Sequence, residues 1–160
     1  MLPILAVALA LPALAAGGDY ARLVRASGPV LIKGVGHSVF VKASAGASLI
    51  PGDAVQTGPS GVAQLELDGG GVLLLTGGSL LVLGAEAEDT LEVKLGEWLL
   101  GVLKRLEGGR RIRVKTPQAV ASVRGTLFWG KTDPKETLLA GLEREVEVTA
   151  KGKTVVLKPG

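Results

Sequence analysis

The chain's one histidine, His37, stands beside Ser38 in the run GVGHSVF at 34–40. A base next to a hydroxyl is the minimum apparatus for nucleophilic catalysis, provided a third group orients the base. No nucleophile-elbow pattern surrounds Ser38, so His37 reads as a structural residue at a strand start. Fifteen Asp and Glu residues are present, but no spacing singles out a pair for acid–base work. Asp68-Gly69-Gly70-Gly71 has the glycines of a calcium turn without its alternating acidic ligands. It also precedes a strand-like run and not a helix, which rules out a phosphate cradle. With no cysteine there is no thiolate zinc site and no disulfide framework. No catalytic residue, metal ligand or cofactor site is assigned, and a non-enzyme is expected.

Cationic side chains offer a different chemistry. In RRIRVKTP, 110–117, Arg111, Arg113 and Lys115 point one way, and Ile112 and Val114 the other. Lys104, Arg105 and Arg110 reinforce the ladder. Such a face suits anionic lipid, acidic glycan or an acidic protein surface. The plainer alternative is a solvated face that discourages edge pairing. Nucleic acid is not expected, because no aromatic residue interleaves the cluster. Farther on, VKTPQAVASVRGTLFWG, 114–130, interrupts an apolar run with Pro117 and then with Arg124-Gly125-Thr126. An arginine among valines is costly to bury unless its five donors are satisfied. Arg124 is therefore expected to pin a corner by bonding carbonyls or a carboxylate, with ligand or partner contact as the alternative. Phe128 and Trp129 face opposite sides of a strand, which makes Trp129 a contact candidate if exposed.

The elements that position these residues are short strands. The chain has 160 residues, enough for one domain with a proper core. Its 24 glycines and five aromatics leave Val, Leu and Ala broken by turns, a pattern that favours strands over long helices. Apolar content of 47% with a net charge of only +3 argues against disorder. Residues 1–16, MLPILAVALALPALAA, carry no charged side chain and end in an A-x-A pattern, so they read as a signal peptide, with an uncleaved anchor as the alternative. In VAQLEL, 62–67, Ala63, Leu65 and Leu67 form the buried face. Val72–Leu75 and Leu80–Leu83 are apolar throughout and read as strands covered on both faces. Residues 91–109 fit either an amphipathic helix or a strand, and Gly96 and Gly101 tip the reading to strand. The terminal run closes as a hairpin around Ala150-Lys151-Gly152-Lys153. AVQTGPSGVAQLEL and RVKTPQAVASVRGTLF echo one another, which suggests stacked β-coils.

Three segments in order resemble the periplasmic FecR-type domain. They are PGDAVQTGPSGVAQLELDGG, LEVKLGEWLLGVLKRL and VKTPQAVASVRGTLF, and the closing EVEVTAKGKTVVLKPG is similar to that domain's last hairpin. The resemblance spans roughly residues 20–160. It implies an all-β single domain, β-solenoid-like or sandwich-like, outside the cytoplasm, with Gly52, Asp53, Thr57, Thr116, Pro117, Arg124, Gly125 and Thr126 as motif residues. Asp53 becomes the candidate carboxylate for Arg124. No anti-sigma region precedes the apolar segment and nothing follows the hairpin, so the expectation is the module exported on its own.

The function expected is a non-catalytic extracytoplasmic interaction or signalling module of the bacterial envelope. It would bind another envelope protein through a strand edge or the basic face formed by Arg111, Arg113 and Lys115, with Trp129 as a further contact. Anionic glycan or lipid and self-association are alternative partners. A carbohydrate- or cell-wall-binding structural protein is the second reading. A hydrolase on a β-solenoid ranks last, because fold alone does not supply function.

Overall fold

A computed structural model of the chain describes residues 20–68, 70–84, 89–102 and 111–160. The leader at 1–16 and the cations Lys104, Arg105 and Arg110 lie outside the described residues. The strands are β1 (Ala21–Ser27), β2 (Val30–Lys33), β3 (Val41–Lys42), β4 (Ser48–Leu49), β5 (Ala54–Thr57), β6 (Val62–Leu67), β7 (Gly71–Leu75), β8 (Leu80–Leu83), β9 (Thr90–Val102), β10 (Ile112–Lys115), β11 (Val120–Val123), β12 (Leu127–Thr132), β13 (Thr137–Gly141), β14 (Val146–Ala150) and β15 (Lys153–Leu157). The described residues contain no helix. The protein is an all-β single domain.

The strands join into one open, mixed sheet with two arms. One arm runs β4-β1-β6-β7-β9-β12-β13. The other runs β3-β2-β5-β8-β9-β10-β11-β14-β15. Only β9 belongs to both. Leu23, Leu65, Leu73, Leu100 and Phe128 from the first arm and Val55, Leu81, Leu91, Val114 and Val123 from the second share one buried cluster. The arms therefore face each other across a single core, and each such Leu, Val or Phe contributes roughly 1.5–3 kcal/mol on burial.

How β9 serves two arms follows from its residues. Its first half buries Leu91 and Val93, its second half Trp98, Leu100 and Val102. The inward parity changes from odd to even where the register with β8 slips between Leu80 and Leu81. Gly96 supplies the bend with φ 105°, and a Cβ there would collide with Ser79 Oγ. A strand that switches layers through a bulge is a known way to turn a sheet corner. Beyond the bend Trp98 packs edge-on to Phe128, 5.3 Å between ring centres, over the bare backbone of Gly130.

Two expectations need correction. Among the described residues β7 and β8 are fully covered on one face only: Leu73, Leu75, Leu81 and Leu83 are buried, whereas Val72, Leu74, Leu80 and Val82 are half-buried. The echoed segments are not stacked coils. Coils would stack parallel, whereas among the described residues only β9 and β10 pair that way. In the first copy Gly58–Gly61 carries the chain from β5 in one arm to β6 in the other. In the second, Thr116 N–H bonds Ala119 O at 2.8 Å and closes a turn between paired neighbours β10 and β11.

Candidate functional site

The motif residues cluster where the chain passes between the arms or turns back. Asp53 stands at the crossing from β4 to β5 and is 7% exposed. Its Oδ1 accepts the Val35 N–H at 2.8 Å and its Oδ2 the Ile50 N–H at 2.9 Å. Gly52 before it has φ 95° and donates its N–H to Leu83 O. Thr57 ends β5, buried; its Oγ1 donates to Thr76 O and accepts the Ser79 N–H, both at 2.9 Å. Thr116 holds the 116–119 turn by accepting the Ala119 N–H at 3.1 Å, and it also accepts from Thr137 Oγ1 at 3.0 Å. Pro117 sits exposed in that turn, where its missing N–H costs nothing.

Arg124-Gly125-Thr126 is the crossing from β11 to β12. Gly125 turns the chain with φ 56°. Thr126 is 1% exposed; its Oγ1 accepts the Arg144 N–H at 3.0 Å and its carbonyl accepts the Val102 N–H at 3.0 Å. The corner is thereby tied to β9 and to the loop between β13 and β14. Arg124 itself is exposed, and among the described residues it makes no hydrogen bond or ion pair. The expected bond to Asp53 is not formed: Arg124 points to solvent, and the Asp53 oxygens accept the amides of Val35 and Ile50 instead. Buried hydroxyls hold the corner in its place: Thr126 is the staple.

Arg124 instead lines an open groove of about 520 Å³ together with Arg111, Ser122, Arg144, Glu145 and Val156. A second hollow of about 310 Å³ lies on the other side of the corner, walled by Gly125, Thr126, Glu143 and Arg144. The FecR protein family matches residues 53–147, which begin at Asp53, contain this corner and cover more than half of the chain. This chain belongs to the FecR protein family. Two crystal structures of a candidate anti-sigma factor from Parabacteroides distasonis share the fold, with TM-score 0.58 and 23% identity over 66% of this chain. The chain spans 51% of that protein's length. No curated protein matches it.

Elsewhere on this FecR-family chain the candidate contacts are partly committed. Arg111 pairs with Glu147 at 2.8 Å, and Lys115 is half-buried and engaged. Arg113 is exposed opposite Ser122. Glu92 stands opposite Lys115, so acids accompany two of the three described cations of the ladder. Trp129 is half-buried on the outer face, its Nε1 donating to Glu97 Oε1 at 2.9 Å. His37 and Ser38 are both exposed. Among the described residues no group of three or more His, Asp or Glu is placed to hold a metal ion.

Sequence reasoning missed the free edge of β15. Lys151 and Gly152, with φ 49° and 73°, close a two-residue hairpin turn. Pairs alternate from such a turn, so Lys153, Val155 and Leu157 bond β14 while Thr154 and Val156 direct their N–H and C=O outward. Val155 and Val156 are 56% and 50% exposed. The signal was the unbroken apolar run at 155–157, which fits neither one-sided strand pattern.

Proposed function

We propose that this chain is a non-catalytic extracytoplasmic interaction and signalling module of the bacterial envelope, and that it takes a partner protein along the open edge of β15 beside the Arg124 groove. The observation that carries the reading is that edge: unpaired among the described residues, apolar on both faces, and adjoining two arginines, Arg124 and Arg144, without ion-pair partners there. A strand added to such an edge gains backbone hydrogen bonds, and adjoining pockets select its side chains. Membership of the FecR family and a fold shared with a candidate anti-sigma factor support a signalling role, and the apolar run at 1–16 supports export. Glycan binding stands second: its aromatic candidate, Trp129, already commits its indole N–H to Glu97.

The test uses the absence of cysteine. A photo-crosslinker on Val155→Cys is presented to envelope fractions of the source organism. The expected result is one recurrent envelope protein, lost when Val156→Pro removes an outward N–H without touching the β14 bonds. Capture that Val156→Pro leaves unchanged overturns edge pairing.

A further inference from the structure

Four of the exposed large apolar residues fall within one stretch of the chain, 35–50: Val35, Val39, Val41 and Ile50, at 53%, 65%, 61% and 39% exposure. They lie on the loop from β2 to β3, on β3, and just after β4. The cluster is built and not merely frayed. A single carboxylate, Asp53, binds the amides of Val35 and Ile50 and so fixes the two segments side by side. Val35 lies against Gly52, where a Cβ would come within 2.7 Å of its Cγ2. Lys33 reaches over the Phe40 ring at 5.1 Å, and Lys42 is exposed beside Val41. All four apolar residues precede residue 53, where the family match begins.

Two observations say what covers this tip. Between Tyr20 and Gly52 the sequence carries Arg22, Arg25, Lys33 and Lys42 and no Asp or Glu. Exposed aliphatics beside Lys33 and Lys42, with the one adjoining carboxylate, Asp53, buried at 7% exposure, fit an anionic lipid surface better than a protein face of mixed charge. The chain also enters the domain here: the Tyr20 N–H bonds Leu49 O at 3.0 Å, one residue from Ile50. The uncharged apolar run at 1–16 ends only four residues earlier in sequence. Retained as an anchor, that run would hold this end of the domain near the head groups.

We propose that Val35, Val39, Val41 and Ile50 rest in the interfacial layer of a bilayer containing anionic phospholipid, with Lys42 meeting the head groups. This rests on the reading of the chain as an envelope module, but it requires no partner at β15. Loss of capture at that edge and failure at the tip are therefore separate results.

The experiment labels the full chain through one introduced cysteine, Val39→Cys, with an environment-sensitive fluorophore. Vesicles of phosphatidylethanolamine and phosphatidylglycerol carry nitroxide lipid as quencher. The control is Leu138→Cys on β13, comparably exposed at 49% and one pair from the β12 end that meets the Gly96 bend. The label at 39 is expected to shift to the blue and lose fluorescence to the nitroxide, while the label at 138 does neither. The response at 39 falls with Lys42→Glu and in phosphatidylcholine vesicles. Equal quenching at both positions, or none at 39, overturns the proposal. A blue shift at 39 that grows with protein concentration in the absence of vesicles overturns it too, because a second copy then covers the tip.

Discussion

Replacing Asp53 by Ala tests what the motif carboxylate does. The side chain is 7% exposed and accepts two backbone N–H groups, at 2.8 and 2.9 Å, from segments 15 residues apart in sequence. Each hydrogen bond to a charged group is worth about 1.5–3 kcal/mol, and removal leaves a desolvated amide behind. Allowing for non-additivity, Asp53→Ala should cost about 3–5 kcal/mol, a large share of a typical domain stability of about 5–15 kcal/mol. With a urea m-value of about 2 kcal/mol/M, the unfolding midpoint should fall by roughly 2 M. Arg124→Ala supplies the contrast: an exposed side chain with no partner among the described residues should change stability by no more than about 0.5 kcal/mol. The double variant should be additive. Equal losses for the two substitutions, or a coupling above about 1 kcal/mol, would refute the assignment and restore an Arg124–Asp53 bond.

Two glycines with positive φ should behave differently. Gly125→Ala meets only Arg144 Nη1, at 3.7 Å, so its cost is the conformational one, about 1–2 kcal/mol by urea titration. Gly96→Ala drives a Cβ into Ser79 and should cost more than about 3 kcal/mol or prevent folding; mild behaviour there would mean the β9 bend is elsewhere. Asp133 concerns pH. The amides of Glu136 and then Lys135 hold its carboxyl below the ordinary 3.8, against a small opposing effect of burial. A depressed folded-state value stabilises the fold above the unfolded value and is lost as pH falls through the folded one. The stability gap between wild type and Asp133→Asn should therefore be full above about pH 5 and narrow progressively as pH falls through the unfolded and then the folded value. A gap that widens as pH falls would contradict the assignment.

Strands packed on one face were legible because their alternation reports directly on burial. Ala63, Leu65 and Leu67, then Ile112 and Val114, then Val146 and Val148, all point inward as the pattern implies. β9 was ambiguous for a physical reason. Its parity switch spaces Leu91, Val93, Trp98 and Leu100 so that neither a strict two-residue nor a helical period fits them all. Arg124 misled because sequence prices the burial of a guanidinium without saying whether it is buried; the tie fell to Thr126, a residue whose hydroxyl gives no periodic signal. The apolar tip was hidden in the same way. Val35, Val39 and Val41 alternate as a covered strand would, but β3 is two residues long and nothing described lies over it.

The sheet order separates the two surfaces proposed here. In the longer arm β3 is the first strand and β15 the last, eight strand spacings apart. At about 4.8 Å per spacing that is roughly 38 Å along the sheet. A lipid surface at β3 therefore leaves the β15 edge clear, and a strand added at β15 does not approach the tip. Between them lie the crossings closed by Asp53, Thr57 and Thr126, which fix one arm against the other through buried oxygens. Such bonds resist sliding more than apolar contact does, because each breaks outright when its amide moves. The two proposed surfaces lie outside the family-matched residues, one within 35–50 before them and one at 153–157 after them.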